Sequence, residues 1–136
     1  MNSENTSAAN DAETIAIIDD DAGVRASLLR LLSSMGYHTE LYDSAEAFLA
    51  NVDRCKAGCL IIDVELGAVS GLDLAQDPVI MALKRTIIFH SARADAELRR
   101  QAFALGCAAF LCKPYAAGEL LAALVRAIEQ RPTPYE

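Results

Sequence analysis

The chain has 136 residues, of which 53% are hydrophobic and 23% charged, the mix of one globular domain rather than of a disordered segment. A net charge of -7 speaks against this chain gripping nucleic acid by itself, because backbone phosphates need clustered cations and the basic residues here are scattered apart from short pairs such as Arg99 and Arg100. No apolar run approaches the roughly 20 residues of a membrane helix and no charged-then-apolar leader opens the sequence, so a cytoplasmic location is expected.

Residues 1–13 are polar and aperiodic and read as a flexible tail. Ile15-Ala16-Ile17-Ile18 is wholly apolar, as a strand buried on both faces requires, and stops at Asp19-Asp20-Asp21. Val24, Leu28, Leu31, Leu32 and Met35 then recur at helical spacing, with Gly36 as the C-terminal cap. A second strand is expected over Tyr37–Tyr42. Asp43, with Glu46 three residues on, predicts a capped helix through Ala45, Phe48 and Leu49. Cys59–Ile62 is a third strand, again wholly apolar, ending at Asp63. After Gly71 a helical pattern begins that Pro78 must break or restart. Ile87-Ile88-Phe89 predicts a fourth strand ending near Ser91, followed by a helix over 94–105 that Gly106 closes. Ala108–Leu111 predicts a fifth strand ending at Lys113-Pro114, and the last helix is expected over 118–128. Residues 131–136 read as a tail or linker stub.

Five strands alternating with five helices imply right-handed crossovers and a parallel sheet covered on both faces: a single doubly wound α/β domain over 14–130. The helical leucines, Phe48 and Phe103 are assigned to the core. The spacings C-x3-C (Cys55, Cys59) and C-x4-C (Cys107, Cys112) are not zinc signatures. Cys59, Cys107 and Cys112 lie in or beside apolar stretches and are expected as buried, reduced thiols.

In such a sheet the working site lies beyond the carboxyl ends of the strands. Asp19 and Asp20 follow the first strand, Asp63 the third, Ser91 the fourth and Lys113 the fifth. Carboxylates converging there repel one another, and burial raises their pKa values. A hard divalent cation such as Mg2+ suits the oxygen-rich site, and the Lys113 ammonium adds positive charge. The set fits a carboxylate nucleophile acting on a phosphoryl group, with cation and lysine neutralising its oxygens and serine donating a hydrogen bond.

IIDDD at 17–21, LIIDVELGAVSG at 60–71, HSA at 90–92 and FLCKPY at 110–115 occur in order. On these motifs, the stretch from Thr14 to Glu129 resembles the receiver domain of bacterial response regulators. The resemblance implies a flavodoxin-like (CheY-like) strand order 2-1-3-4-5 with five helices. It makes Asp63 the phosphoacceptor. Asp19, Asp20 and Asp63 would hold Mg2+ or Mn2+, with the backbone carbonyl of Glu65 as a further ligand. Lys113 would contact the phosphoryl group, Ser91 would be the switch hydroxyl and Phe110 the switch aromatic. The Lys113–Pro114 bond is often cis in this family.

The implied function is that of a phosphorylation switch in a two-component system, not a turnover enzyme. A sensor histidine kinase or phosphotransfer protein would donate to Asp63. A downstream protein would read the face of the fourth helix, fifth strand and fifth helix, and a phosphorylation-dependent homodimer is compatible with it. IIDDDAGVR and SAEAFLA are similar to receivers joined to helix-turn-helix domains in regulators of the nitrogen-fixation type. Whether the receiver stands alone or belongs to a longer regulator stays open.

Three positions depart from the family pattern. Leu66-Gly67 stands where Met-Pro is usual, which loosens the loop over the site. Pro78 interrupts the third helix, and Ser91 replaces the commoner threonine. Glu65 and Arg93, two residues after the acceptor and two after the switch hydroxyl, are expected to pair across the site, hinder attacking water and lengthen the phosphorylated lifetime. His38 and His90 are assigned structural roles, with His90 pointing away from the site because its neighbour Ser91 points in. A pseudo-receiver that never cycles phosphate is the alternative, favoured by Leu66-Gly67. A metal-dependent phosphohydrolase or nucleotide-binding α/β enzyme is a third reading, against which stand the missing D-x-D acid two residues after Asp63, where Glu65 is a weak substitute, and the lack of a glycine-rich phosphate loop.

Overall fold

The computed structural model describes residues 13–93 and 95–130; the tails at 1–12 and 131–136 lie outside them. Five parallel strands form the main sheet: β1 (Thr14–Ile18), β2 (His38–Tyr42), β3 (Cys59–Asp63), β6 (Thr86–Ser91) and β7 (Ala109–Cys112). Their order is β2-β1-β3-β6-β7, the 2-1-3-4-5 order of a flavodoxin-like sheet. The strands between the edges are apolar because both their faces are covered. Every residue of β3 is buried, and so are Ile15 to Ile18 of β1. Edge strand β2, HTELY, is half-buried or exposed along its whole length instead.

The helices are α1 (Ala22–Ser34), α2 (Ala45–Ala50), α3 (Gly71–Ala75), α4 (Pro78–Leu83), α5 (Ala96–Ala104) and α6 (Ala117–Gln130). Among the described residues six stand where five were expected, because the stretch after β3 divides. Asp77 accepts from the Val79 amide and Pro78 occupies the first turn of α4, where its missing N–H costs nothing. Pro78 therefore starts a helix rather than bending one. The cap of α2 is Ser44, whose hydroxyl accepts from the Ala47 amide at 3.0 Å, not Asp43. Asp21 and Asp95 cap α1 and α5, so α5 begins two residues later than its periodicity predicts. Gly67 and Ala68, the fourth and fifth residues after Asp63, turn a two-stranded hairpin of β4 (Glu65–Leu66) and β5 (Val69–Ser70). Gly67 makes that turn at φ +85°, a conformation a proline there could not adopt.

Two apolar layers sandwich the sheet. Ile15, Ile17, Ile61 and Ile88 meet Leu28 and Leu32 of α1 and Leu120 and Leu124 of α6. Ile18, Leu60, Ile62, Phe89 and Phe110 meet Phe48, Leu72, Leu74 and Ile80 on the other face. Phe103, assigned to the core, is instead 40% exposed and lies under the Arg99 guanidinium, 5.1 Å from its ring centre. None of the four cysteines is in a disulfide. Cys112 is exposed rather than buried because it closes β7, with its thiol beside the Arg93 carbonyl at 3.9 Å. Among the described residues no helix is long and apolar enough to cross a membrane.

Candidate functional site

Side-chain parity in the sheet decides which polar residues meet. In a strand, residues two apart share a face, and parallel pairing carries that face across the sheet. Asp19 continues the row Ile15, Ile17; Asp63 continues Cys59, Ile61; Lys113 continues Ala109, Leu111. Asp63 pairs in register with His90, which in turn continues Ile88. All four therefore emerge from the α1/α6 layer. Ser91 emerges from the opposite layer, after Phe89.

The geometry follows that division. Lys113 Nζ donates to Asp19 Oδ2 at 3.0 Å and to Asp63 Oδ2 at 3.1 Å, joining the ends of β1, β3 and β7. The Lys113–Pro114 peptide is cis, as the resemblance implies. Asp63 Oδ1 accepts from the Glu65 amide at 3.0 Å, so both its oxygens are engaged. Asp19 Oδ1 accepts from the Asp21 amide at 2.8 Å. Arg25 holds the same loop through the Asp19 carbonyl at 2.8 Å.

Burial and charge set these groups apart. Burial raises Asp63, the Glu65 amide opposes it, and the Asp19 charge raises it again against Lys113; its pKa ends above the ordinary carboxylate value. Asp19 feels the same burial, but His90, the Asp21 amide and Lys113 together hold it well below that value. Burial lowers Lys113, and the two carboxylates more than reverse this. Two neighbouring buried acids are thus driven in opposite directions, a pattern common at functional sites.

The remaining candidates divide. Ser91 does not turn to Asp63; its hydroxyl donates to Glu65 Oε2 at 2.7 Å, and the Ala92 amide donates to Oε1 at 3.3 Å. The Glu65–Arg93 pair is absent. Arg93 instead bonds Asp95 at 2.7 Å, because the cap residue of α5 lies two positions away while Glu65 is taken by Ser91. Phe110 is buried, with Arg99 donating to its carbonyl at 3.3 Å. Asp20 is exposed, and the close group of Asp19, Asp63 and His90, whose ligand atoms lie within 4.8 Å of one another, does not include it.

His90 contradicts its assignment away from the site. It is fully buried, and its Nε2 stands 2.8 Å from Asp19 Oδ2. Its Nδ1 shares a hydrogen bond of 2.8 Å with the hydroxyl of Tyr115, a residue sequence reasoning passed over. The expectation took Ser91 as the residue pointing in and gave His90 the other face. The alternation Ile88-x-His90 beside Ile61-x-Asp63 carried the right answer, because it places His90 with the acceptor rather than with the hydroxyl.

A flavodoxin-ordered parallel sheet with buried acids and a lysine gathered at its carboxyl edge is the architecture of a receiver. The chain belongs to the response regulator receiver domain family, whose profile matches residues 15–125. It is 40% identical over 117 residues to the transcriptional regulatory protein TdiR of Thauera aromatica, covering 86% of this chain and 52% of TdiR. The crystal structure of full-length FixJ from B. japonicum superposes with a TM-score of 0.81 at 33% identity, covering 90% of this chain and 60% of that one. A CheY-like receiver from Methanospirillum hungatei JF-1 shares the fold with a TM-score of 0.79 at 22% identity, covering 88% and 96%. The chain thus spans about half the length of the curated relatives it matches. It is a receiver domain of the two-component type, with relatives among transcriptional regulators.

Proposed function

We propose that Asp63 accepts a phosphoryl group from a phosphohistidine of a sensor kinase or phosphotransfer protein, and that the acyl phosphate switches a protein-binding face. The observation that carries this reading is Asp63 itself: buried at the end of the central strand, with one oxygen on the Glu65 amide and the other on Lys113. A carboxylate oxygen displaces the histidine nitrogen at phosphorus. The P–N bond breaks, a P–O bond forms, and the nitrogen leaves with the electron pair and takes up a proton. Lys113, already between Asp19 and Asp63, moves with the new negative charge, while the Glu65 amide remains aimed at the acyl oxygen.

The donors suit a dication. Two buried carboxylates share a single ammonium, and a buried ring nitrogen, His90 Nε2, has no hydrogen-bond partner. Asp19, Asp63 and, from the rim, Asp20 would hold Mg2+ with the Glu65 carbonyl. Bound there, the ion neutralises phosphoryl oxygens.

Phosphorylation adds about -1.5 to -2 units of charge beside Glu65. That charge repels the Glu65 carboxylate and attracts the Ser91 hydroxyl, so Ser91 exchanges partners and the segment leading into α5 follows. The α5–β7–α6 face, with Phe110 beneath it, is then read by a downstream protein or a second copy. The chain acts in the cytoplasm as a switch and not as a turnover enzyme.

Incubation with Mg2+ and beryllofluoride, a phosphoryl mimic, tests the reading by amide NMR. Shifts centred on Asp63, Ser91 and Lys113, lost in Asp63→Asn, are expected. A folded protein without shifts would make it a pseudo-receiver, and sustained turnover of a phosphate ester would make it an enzyme.

A further inference from the structure

His90 is the part of the site that acyl-phosphate chemistry leaves unused. A histidine sealed from solvent normally satisfies both ring nitrogens. Here Nδ1 is satisfied by Tyr115 and Nε2 is not: it stands 2.8 Å from Asp19 Oδ2 yet is misaligned for a hydrogen bond to it. In the tautomer whose Nδ1–H donates to Tyr115, Nε2 no longer supports the Asp19 carboxylate, and its lone pair and that carboxylate face one space that calls for a cation.

The dimensions suit coordination. Two donors about 2.1 Å from one ion and at right angles stand about 3 Å apart, close to the 2.8 Å between His90 Nε2 and Asp19 Oδ2. Asp63 completes a group of three ligand atoms within 4.8 Å. The hydrogen bond to Tyr115 fixes the imidazole plane from behind, as outer partners of metal-bound histidines do. Lys113, the present counter-ion of both carboxylates, is one-fifth exposed on a flexible stem, so it can yield its place and turn toward an incoming phosphoryl group. The buried His90 ring has no such freedom.

We propose that His90 contributes a nitrogen ligand to the acidic site, making this receiver select a first-row transition dication over Mg2+. The inference rests on the receiver reading above, since it supposes that the Asp19–Asp63 site binds a dication at all. Imidazole adds little affinity for hard Mg2+ and much for Mn2+, Co2+ or Zn2+, in rising order from Mn2+ to Co2+.

Calorimetric titration of the purified, tag-free protein with Co2+ and with Mg2+ tests it, beside His90→Leu and Tyr115→Phe. Co2+ is expected to bind the native protein at least 100-fold more tightly than Mg2+. His90→Leu should lower Co2+ affinity on the order of 10–100-fold and Mg2+ affinity less than threefold, and Tyr115→Phe should give a smaller loss of the same kind. The native protein supplies a readout free of any folding defect: Co2+ should produce paramagnetically shifted imidazole proton resonances, retained in His38→Gln. An unchanged Co2+ to Mg2+ ratio in His90→Leu, or Co2+ bound without imidazole resonances, overturns the proposal. If Mg2+ still binds and the beryllofluoride adduct still forms, the receiver reading survives that result. Failure of both ions to bind removes both.

Discussion

The Ser91 hydroxyl donates to Glu65 Oε2 at 2.7 Å, so the residue expected to reach the phosphoryl group is held by a carboxylate two positions beyond the acceptor. That contact opposes activation, because Ser91 must leave it to move. In Glu65→Ala the hydroxyl is free, and one hydrogen bond to a charged group in a half-buried setting is worth about 1 kcal/mol. Beryllofluoride affinity is therefore expected to rise about fivefold, and the gain should vanish in a Ser91→Ala background. An unchanged or weaker affinity in Glu65→Ala would show that the contact is incidental.

Arg93 has a different fate from the one its position predicts. Its guanidinium is 60% exposed and bonded to Asp95, out of the acyl phosphate's way. The half-life of phosphorylated protein in Arg93→Ala, followed after removal of the phosphodonor, should stay within about twofold of the native value, as expected of an exposed pair. A large shortening would mean that Arg93 swings over the site after phosphorylation.

Asp63 and Asp19 give opposite pH dependences. The raised pKa of Asp63 means that the folded state binds its proton more tightly than the unfolded chain does. Its contribution to stability therefore falls as pH rises from the ordinary carboxylate value through the raised one, and at neutral pH its charge is unfavourable. The lowered pKa of Asp19 works the other way: its contribution is present above the ordinary value and is lost as pH falls through the lowered one. Asp63→Asn should thus be more stable than the native protein at pH 7 without metal and lose that advantage on acidification. Thermal melts across pH check it, with each kcal/mol worth about 4 °C. A variant melting lower at pH 7 would contradict the assignment.

The two glycines after Asp63 differ in kind. A Cβ on Gly71 would lie 2.2 Å from the Asp63 carbonyl oxygen and 2.9 Å from Ile62 Cγ2, so the acceptor's own backbone would have to move. Gly67 has open space around it and only its φ of +85° to defend. Urea denaturation should show Gly71→Ala costing about 3 kcal/mol and Gly67→Ala about 1 kcal/mol. Phosphodonor reactivity should fall in the first and persist in the second. Equal costs would mean that the loop adjusts around Gly71.

The sheet was legible in the sequence because burial on both faces leaves no ambiguity: the runs at Ile15–Ile18 and Cys59–Ile62 become the two most buried strands. Their acidic ends gave Asp19 and Asp63 at once. Local signals with close rivals were less readable. Ser44 and Asp43 are both good caps, and only backbone geometry selects Ser44; Pro78 reads as a break or a restart, and the cap at Asp77 before it selects the restart. His90 shows the deeper limit. Its face follows from the register with Asp63, a relation between strands that periodicity within one strand does not contain.

The central claim is that Asp63 is a phosphoacceptor, and intact-protein mass spectrometry with peptide mapping tests it most directly. After incubation with Mg2+ and acetyl phosphate, one phosphoryl group per chain is expected on the peptide containing Asp63, labile to hydroxylamine and absent from Asp63→Asn. A folded protein that gains no phosphoryl group, or gains one that survives Asp63→Asn, would contradict it.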